Sequence, residues 1–216
     1  MLKAIIFDFD GVISESVGVK ADGFAAIYEP FGKEVIRKVL DHHYFNGGIS
    51  RFDKLRFYHK NFLGIELNEL ELAKLAEKFS NFVVKQLINA QYVNGAIDFF
   101  ENNYKKYKLF ISTGTPQDEI EIIIKEREID HYFLEVHGSP RSKIEHINSI
   151  LINNDLSKHQ TIFVGDAKQD CKAAKTAGLK FIARIHEKNL FLEEEPYLVK
   201  DLSELEKLIL NDELQY

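Results

Sequence analysis

The sequence predicts an α/β protein, a Rossmann-like core built on a parallel sheet with an all-helical cap domain inserted after the first strand. Three observations predict it. Short continuous apolar runs alternate with helical periods through the second half of the chain, which is the pattern of a parallel sheet covered by helices. The run that opens the sequence, Lys3–Phe9, ends in acids and suits a central strand buried on both faces. From about Glu15 to Gln91 the alternation stops and helix periods alone remain.

Taken in order, the strand at Lys3–Phe9 is followed by apolar runs at Lys108–Ser112, Thr161–Val164 and Phe181–Ile185, with a weaker fifth at Tyr197–Val199. Helical patterns lie between them at Gly95–Tyr104, Pro116–Glu128, Lys143–Asn153, Lys168–Ala177 and Ser203–Leu210. Pro116 and Ser203 stand where helix starts favour Pro and Ser, and Gly178 stands where a helix stops. In the inserted block, Leu67–Ala90 carries Leu67, Leu70, Leu72, Leu75, Phe79, Phe82, Val83 and Leu87 at spacings that give one broad apolar face. The expected division is a catalytic core of residues 1–14 and 92–216 and a helical cap of residues 15–91. The aromatic residues of that block, Phe24, Tyr28, Phe31, Phe52, Phe57 and Tyr58, read as its core, and His42 and His43 as ordinary polar residues.

A chain of 216 residues with 45% hydrophobic content holds one core with a modest insertion, since cores split only beyond roughly 250 residues. The formal net charge of -6 argues against broad nucleic-acid or anionic-membrane partners, which need a basic footprint. Cys171 is the one cysteine, so no intrachain disulfide forms. No apolar run approaches the roughly 20 residues of a membrane span, and the acids inside MLKAIIFDFD are foreign to a signal peptide. The expectation is a cytoplasmic protein, monomer or homodimer.

The chemistry concentrates where strands end. Asp8 and Asp10 stand at the carboxyl end of the first strand, where open α/β sheets bind ligands. Residues two apart in an extended segment point the same way, so these carboxylates repel each other unless a cation or a shared proton intervenes. A solvated strand end or a helix cap explains one of them poorly and both worse. Gly165-Asp166-Ala167-Lys168-Gln169-Asp170 places two more acids where a strand gives way to a helix; N-capping accounts for one Asp but not for a second four residues on. Mg²⁺ takes a few carboxylates, waters and substrate phosphate in an octahedral shell, and Asp8, Asp166 and the Asp10 carbonyl make a plausible shell, with Asp170 near it. Ser112-Thr113-Gly114-Thr115-Pro116 offers hydroxyls and backbone N–H groups ahead of a helix start for phosphate oxygens, although Ser/Thr-Gly turns are common. Lys143 opens a later helix, with Arg141 as its rival.

The order of these parts, Asp-x-Asp-Gly-Val, a helical insertion, Thr-Gly, Lys, then Gly-Asp-x-x-x-Asp, resembles the haloacid dehalogenase-like superfamily from Lys3 to about Ile185. The resemblance implies Asp8 as nucleophile, Asp10 as general acid/base, Thr113, Gly114 and Lys143 as holders of the phosphoryl group, and Asp166 as a metal ligand. The expected reaction is Mg²⁺-dependent hydrolysis of a small phosphorylated metabolite through an aspartyl-phosphate, which splits one hard step into two.

Dehalogenases of that superfamily lack an acid at the place of Asp10, and phosphonate-cleaving members usually lack it too and use a cap lysine as a Schiff base. The cap segment Asn46-Gly47-Gly48-Ile49-Ser50-Arg51 resembles the substrate loop of β-phosphoglucomutase, where an arginine holds a distal phosphate. Arg51 is the matching candidate here, with Lys20 as a second cap residue for substrate and a plain helix–helix turn as the alternative. That mutase has a histidine near the position of Lys20, and a charged lysine cannot accept a hydrogen bond. A phosphatase similar in layout to the phosphoglycolate phosphatase branch is therefore expected, ahead of a sugar phosphomutase or an inert binding member.

Overall fold

The computed structural model describes residues 1–187, 189 and 192–210. Six strands form one sheet in the order β3-β2-β1-β4-β5-β6: β1 Ala4–Phe7, β2 Lys108–Pro116, β3 Glu135–Ser139, β4 Thr161–Gly165, β5 Lys180–Arg184 and β6 Leu198–Val199. Every pairing is parallel. The strand order runs one way from β1 to β2 and the other way from β1 to β4, so the switch point lies between β1 and β4, where the carboxyl ends splay to leave a crevice.

Strand alternation builds the two faces. Ile5 and Phe7 of β1 point into one apolar layer with Phe99 and Phe100 of α5 (Ala96–Asn103), Ile120 and Ile123 of α6 (Gln117–Glu126) and Leu205 of α9 (Leu202–Leu210). Ala4 and Ile6 point into the other, with Ile147 and Ile150 of α7 (Lys143–Asn153) and Ala174 of α8 (Lys168–Ala177).

Between β1 and α5 lie four α-helices and no strand: α1 Val17–Tyr28, α2 Lys33–Phe45, α3 Arg51–Tyr58 and α4 Glu69–Asn89. The chain leaves and re-enters the core side by side, with Ser14 bridged to Tyr92 and Glu15 N–H bonded to Gln91 O at 2.9 Å. Asn68 and Glu71 cap α4 reciprocally, satisfying backbone donors that a helix start leaves free. Its inner face is Leu72, Ala76, Phe79, Val83 and Leu87; Leu70 and Phe82, expected on that face, are exposed. Phe24 and Tyr58 stack edge-on in the same layer, while Phe31 and Phe57 lie at its rim.

Two differences from the sequence reading matter for the site. β3 escaped notice because Glu-Val-His-Gly-Ser is a half-exposed edge strand with a single strongly apolar residue. β2 continues past Ser112 to Pro116, with a register shift against β3 between those residues, so the Thr-Gly segment is irregular strand rather than a free turn. A smaller one concerns the last helix, which starts at Leu202 and is capped by Asp201, whose Oδ1 accepts from the Ser203 and Glu204 backbones.

Candidate active site

The switch point carries the acids. Asp8 directly follows β1, and its N–H bonds Val164 O of β4 at 2.9 Å, which fixes it between the two strands. Asp8 is 3% exposed; Oδ1 accepts from Phe9 N–H at 2.7 Å and Oδ2 lies 2.9 Å from Lys143 Nζ. Lys143 is the first residue of α7, behind a capping box of Ser142 and Glu145, and its ammonium also bonds Asp170 Oδ1. Asp170 Oδ2 accepts from Ala167 N–H at 3.0 Å, so Asp170, rather than Asp166, caps α8. Asp166 follows β4 and is 3.0 Å from His186 Nε2. Asp8, Asp166 and Asp170 each turn one oxygen inward, and the three lie within 4.8 Å of one another.

Burial together with mutual repulsion raises all three carboxyls. Asp8 is pushed up to about 7 by burial and by Asp170, against the pull of Lys143. Asp166 and Asp170 are raised chiefly by burial, and Lys143 is held protonated by Asp170 and Asp8 in spite of its own burial. Three buried carboxylates facing one ammonium are an incompletely neutralised cluster of hard oxygens, a donor set that fits a divalent cation such as Mg²⁺. The turn beside it has no room for a side chain: a Cβ at Gly11, where φ is +75°, would meet Asp166 Oδ2 at 2.1 Å. Arg184 of β5 steadies this turn, donating to Gly11 O at 3.2 Å and pairing with Glu15.

The Asp10 side chain turns away from the cluster and toward the inserted helices. Ser16 Oγ donates to it at 2.7 Å, Thr115 Oγ1 at 3.1 Å, and Lys20 of α1 forms an ion pair with it while reaching Thr115 Oγ1 at 2.9 Å. Burial acts to raise Asp10, but Lys20 and the two hydroxyls outweigh it and hold the group below the usual carboxylate range. Thr113 Oγ1 accepts from Thr115 N–H at 3.1 Å, and Gly114 packs against the segment between α2 and α3, where an added Cβ would lie 3.1 Å from Gly48 O. The expected Gly47–Gly48 turn therefore touches the core at Gly114 and Ala167.

Arg51, expected to reach toward substrate, lines the cavity with Asp8 and Asp10 and is held there by the core. Its guanidinium makes a two-armed ion pair with Glu119 of α6, bonds Ser80 Oγ at 2.5 Å and lies 4.7 Å over the Phe79 ring. The acid that occupies it comes from the core, 68 residues away in sequence, a distance that no local pattern reveals. Arg141, the rival to Lys143, bonds Ser149 at the surface.

A profile of the haloacid dehalogenase-like hydrolases matches residues 5–184, nearly all of this architecture. The chain belongs to that family. It is 24% identical over 186 residues to phosphoglycolate phosphatase of Aliivibrio fischeri, covering 82% of this chain and 81% of the relative. Its fold matches β-phosphoglucomutase of Clostridium difficile at a TM-score of 0.78 and 19% identity, covering 95% and 93% of the two chains. It also matches a predicted phosphoglycolate phosphatase of Haemophilus somnus at 0.77 and 19%, covering 96% and 98%.

This hydrolase also carries site residues that the sequence did not announce. Thr115 stands two residues beyond Thr113 on the extended β2, a spacing that offered a signal. His146 lies one turn beyond Lys143 on α7, with Nε2 3.1 Å from Gly138 O and Nδ1 2.9 Å from Ser112 Oγ, and so ties β2 to β3 under the Thr-Gly segment. Asn189 bonds Asp166 O at 2.7 Å. Lys54 and His43, both buried, line the cavity between the inserted helices and the acids.

Proposed function

We propose that this hydrolase is a Mg²⁺-dependent, cytoplasmic phosphatase that cleaves a small phosphorylated metabolite through an aspartyl-phosphate on Asp8. The observation that carries the reading is the placement of Asp8: buried at the β1/β4 switch point, 2.9 Å from the Lys143 ammonium and within the triangle of acids.

Asp8, Asp166 and the Asp10 carbonyl would hold Mg²⁺, with Asp170 reaching it directly or through water. Bound there, the ion would offset the charge of the phosphoryl oxygens. One Asp8 oxygen attacks phosphorus, a P–O bond to the aspartate forms, and the bond to the ester oxygen breaks. Asp10, a carboxylate in this state, takes a proton from the water that attacks the aspartyl-phosphate and, once protonated, delivers it to the departing oxygen of the next ester. Lys143, Thr113 and the Gly114 backbone hold the equatorial oxygens. The helices of residues 15–91 act as the cap, closing over Asp10 through Lys20 and shielding the charges of the site from bulk solvent while leaving access for the attacking water.

Lys20 favours hydrolysis over phosphomutase chemistry. It holds Asp10 with a charge and no acceptor, so no cap side chain at that place can take the Asp10 proton. The names of the relatives support phosphoglycolate as the first substrate to try. Phosphate release from phosphoglycolate and from a panel of phosphorylated sugars and acids is measured with Mg²⁺ and in excess chelator. Release that depends on Mg²⁺, and that is weakened in Asp166→Ala, is the expected result; full activity in chelator contradicts the assignment.

A further inference from the structure

Lys54 lies on α3, one turn after Arg51, with 3% of its surface exposed. Its Nζ is 3.0 Å from His43 Nδ1 and 3.4 Å from His43 O, and 5.8 Å from the centre of the Phe24 ring. Among the described residues no carboxylate lies within ion-pair distance of it. The His43 ring is held well below its usual range by burial and by the nearby Lys54 and Lys20. Lys20 is matched by Asp10, Arg51 by Glu119, and Lys143 by Asp8 and Asp170; Lys54 has only neutral acceptors.

A buried cation without a counter-charge destabilises the fold that holds it. Burial and the neighbouring Lys20 push the Lys54 ammonium down to about 7, and the more distant Asp10 and Asp166 offset this only in part. The residue nonetheless lines the same cavity as Asp8, Asp10 and Thr115, a space of about 70 Å³ that Phe24 and Phe79 also line. An anionic ligand group in this cavity would supply the partner that Lys54 lacks at ion-pair distance. The modest size of the space suits a compact ligand, in which the anion is joined to the phosphate by a short chain.

We propose that Lys54 is the specificity residue of this site, and that it receives a carboxylate at the far end of a short phosphomonoester whose phosphoryl group lies on Asp8. The inference rests on the phosphatase reading and adds to it the substrate class and the residue that selects it. His43 acts as the neutral positioning partner, holding Nζ through Nδ1 without competing for its charge. The site thereby separates a phosphorylated carboxylic acid from the matching alcohol, because the alcohol leaves the ammonium unpaired.

The test compares phosphoglycolate with 2-hydroxyethyl phosphate, the same skeleton with an alcohol in place of the carboxylate, in the wild type and in Lys54→Met. A generic aryl phosphate reports the phosphatase activity itself. Lys54→Met is expected to lower the preference for phosphoglycolate over the alcohol, as a ratio of kcat/KM, by about 30-fold or more, mainly through KM. Without ligand the variant is expected to unfold at the same or a higher temperature than the wild type, because a buried lone charge has been removed; a residue kept for the fold would show the reverse. Lys54→Gln serves as the second variant and should show the same loss of preference. An unchanged ratio in either variant, with the aryl phosphate still cleaved, overturns the role of Lys54 and leaves the phosphatase standing. No Mg²⁺-dependent release from any ester by the wild type overturns both. Covalent trapping of Lys54 by borohydride with a phosphorylated aldehyde also overturns the proposal, since it makes the amine a nucleophile.

Discussion

Arg51 and Glu119 join the inserted helices to the sheet core through a two-armed ion pair, with the guanidinium 4% and the carboxylate 13% exposed. Ser80 bonds both partners, so α3, α4 and α6 meet at one polar knot. Such a knot lies in the path of any motion that separates cap from core.

The first prediction concerns that knot. Removing one partner of a buried pair leaves the other uncompensated, at roughly 3–5 kcal/mol when the contact persists. Arg51→Met and Glu119→Gln are each expected to lower kcat/KM by a similar factor for phosphorylated acids and for neutral esters alike, because they act on closure rather than on one ligand group. The double variant is expected to fall short of the product of the two single effects. A loss in Arg51→Met confined to substrates with a second anion would instead restore Arg51 as a substrate ligand.

A second prediction concerns His146, 1% exposed. Burial first, then His137 and Lys143, push its imidazole down to about 4. Its folded value lies below the unfolded one, so its contribution to stability is complete above about pH 6.5 and is lost as pH falls toward 4, by at most about 1.4 kcal/mol per unit. Chemical unfolding of the wild type and of His146→Gln between pH 4.5 and 7.5 is expected to give the wild type the steeper loss on the acid side. Parallel curves would show that the ring does not titrate in this window.

How much of this arrangement the sequence discloses depends on range. Asp8 and Asp10 are legible because a strand of known polarity puts both at one end, and Asp166 because Gly-Asp repeats that logic at β4. Lys143 is legible only through the resemblance, since a lysine at a helix start is ordinary by itself. The pairs Arg51–Glu119 and Lys20–Asp10 join segments 68 and 10 residues apart and depend on how the cap rests on the core, which no local period encodes. Lys54 looks like a surface residue in Arg-Phe-Asp-Lys-Leu; the packing of Phe24 and His43 around it is what turns it inward. β3 is illegible for a related reason: an edge strand that buries one face weakly leaves little apolar signal.

The third prediction follows from the raised carboxyls of Asp8, Asp166 and Asp170. A carboxyl held above its unfolded value stabilises the fold below about pH 4, and that contribution disappears as pH rises through the folded value, about 7 for Asp8. A divalent cation must displace those protons. Mg²⁺ is therefore expected to raise the unfolding temperature over a chelator control much more at pH 8 than at pH 5. Calorimetric titration at pH 6.5 in buffers of different ionisation enthalpy should show proton release on Mg²⁺ binding. Equal stabilisation at both pH values, or no proton release, would separate the metal from these carboxylates.

The account turns on Asp8 as a nucleophile, and acid-quenched turnover followed by peptide mass spectrometry tests that most directly. Mixing the Mg²⁺-loaded protein with a rapidly cleaved phosphate ester and quenching within the first turnovers should leave one phosphoryl group on the peptide that contains Asp8. The group should disappear as substrate is exhausted and never form in Asp8→Asn, whose amide is a poor nucleophile of similar shape. Turnover without any phosphorylated Asp8 peptide, together with near-normal phosphate release by Asp8→Asn, would contradict the covalent mechanism.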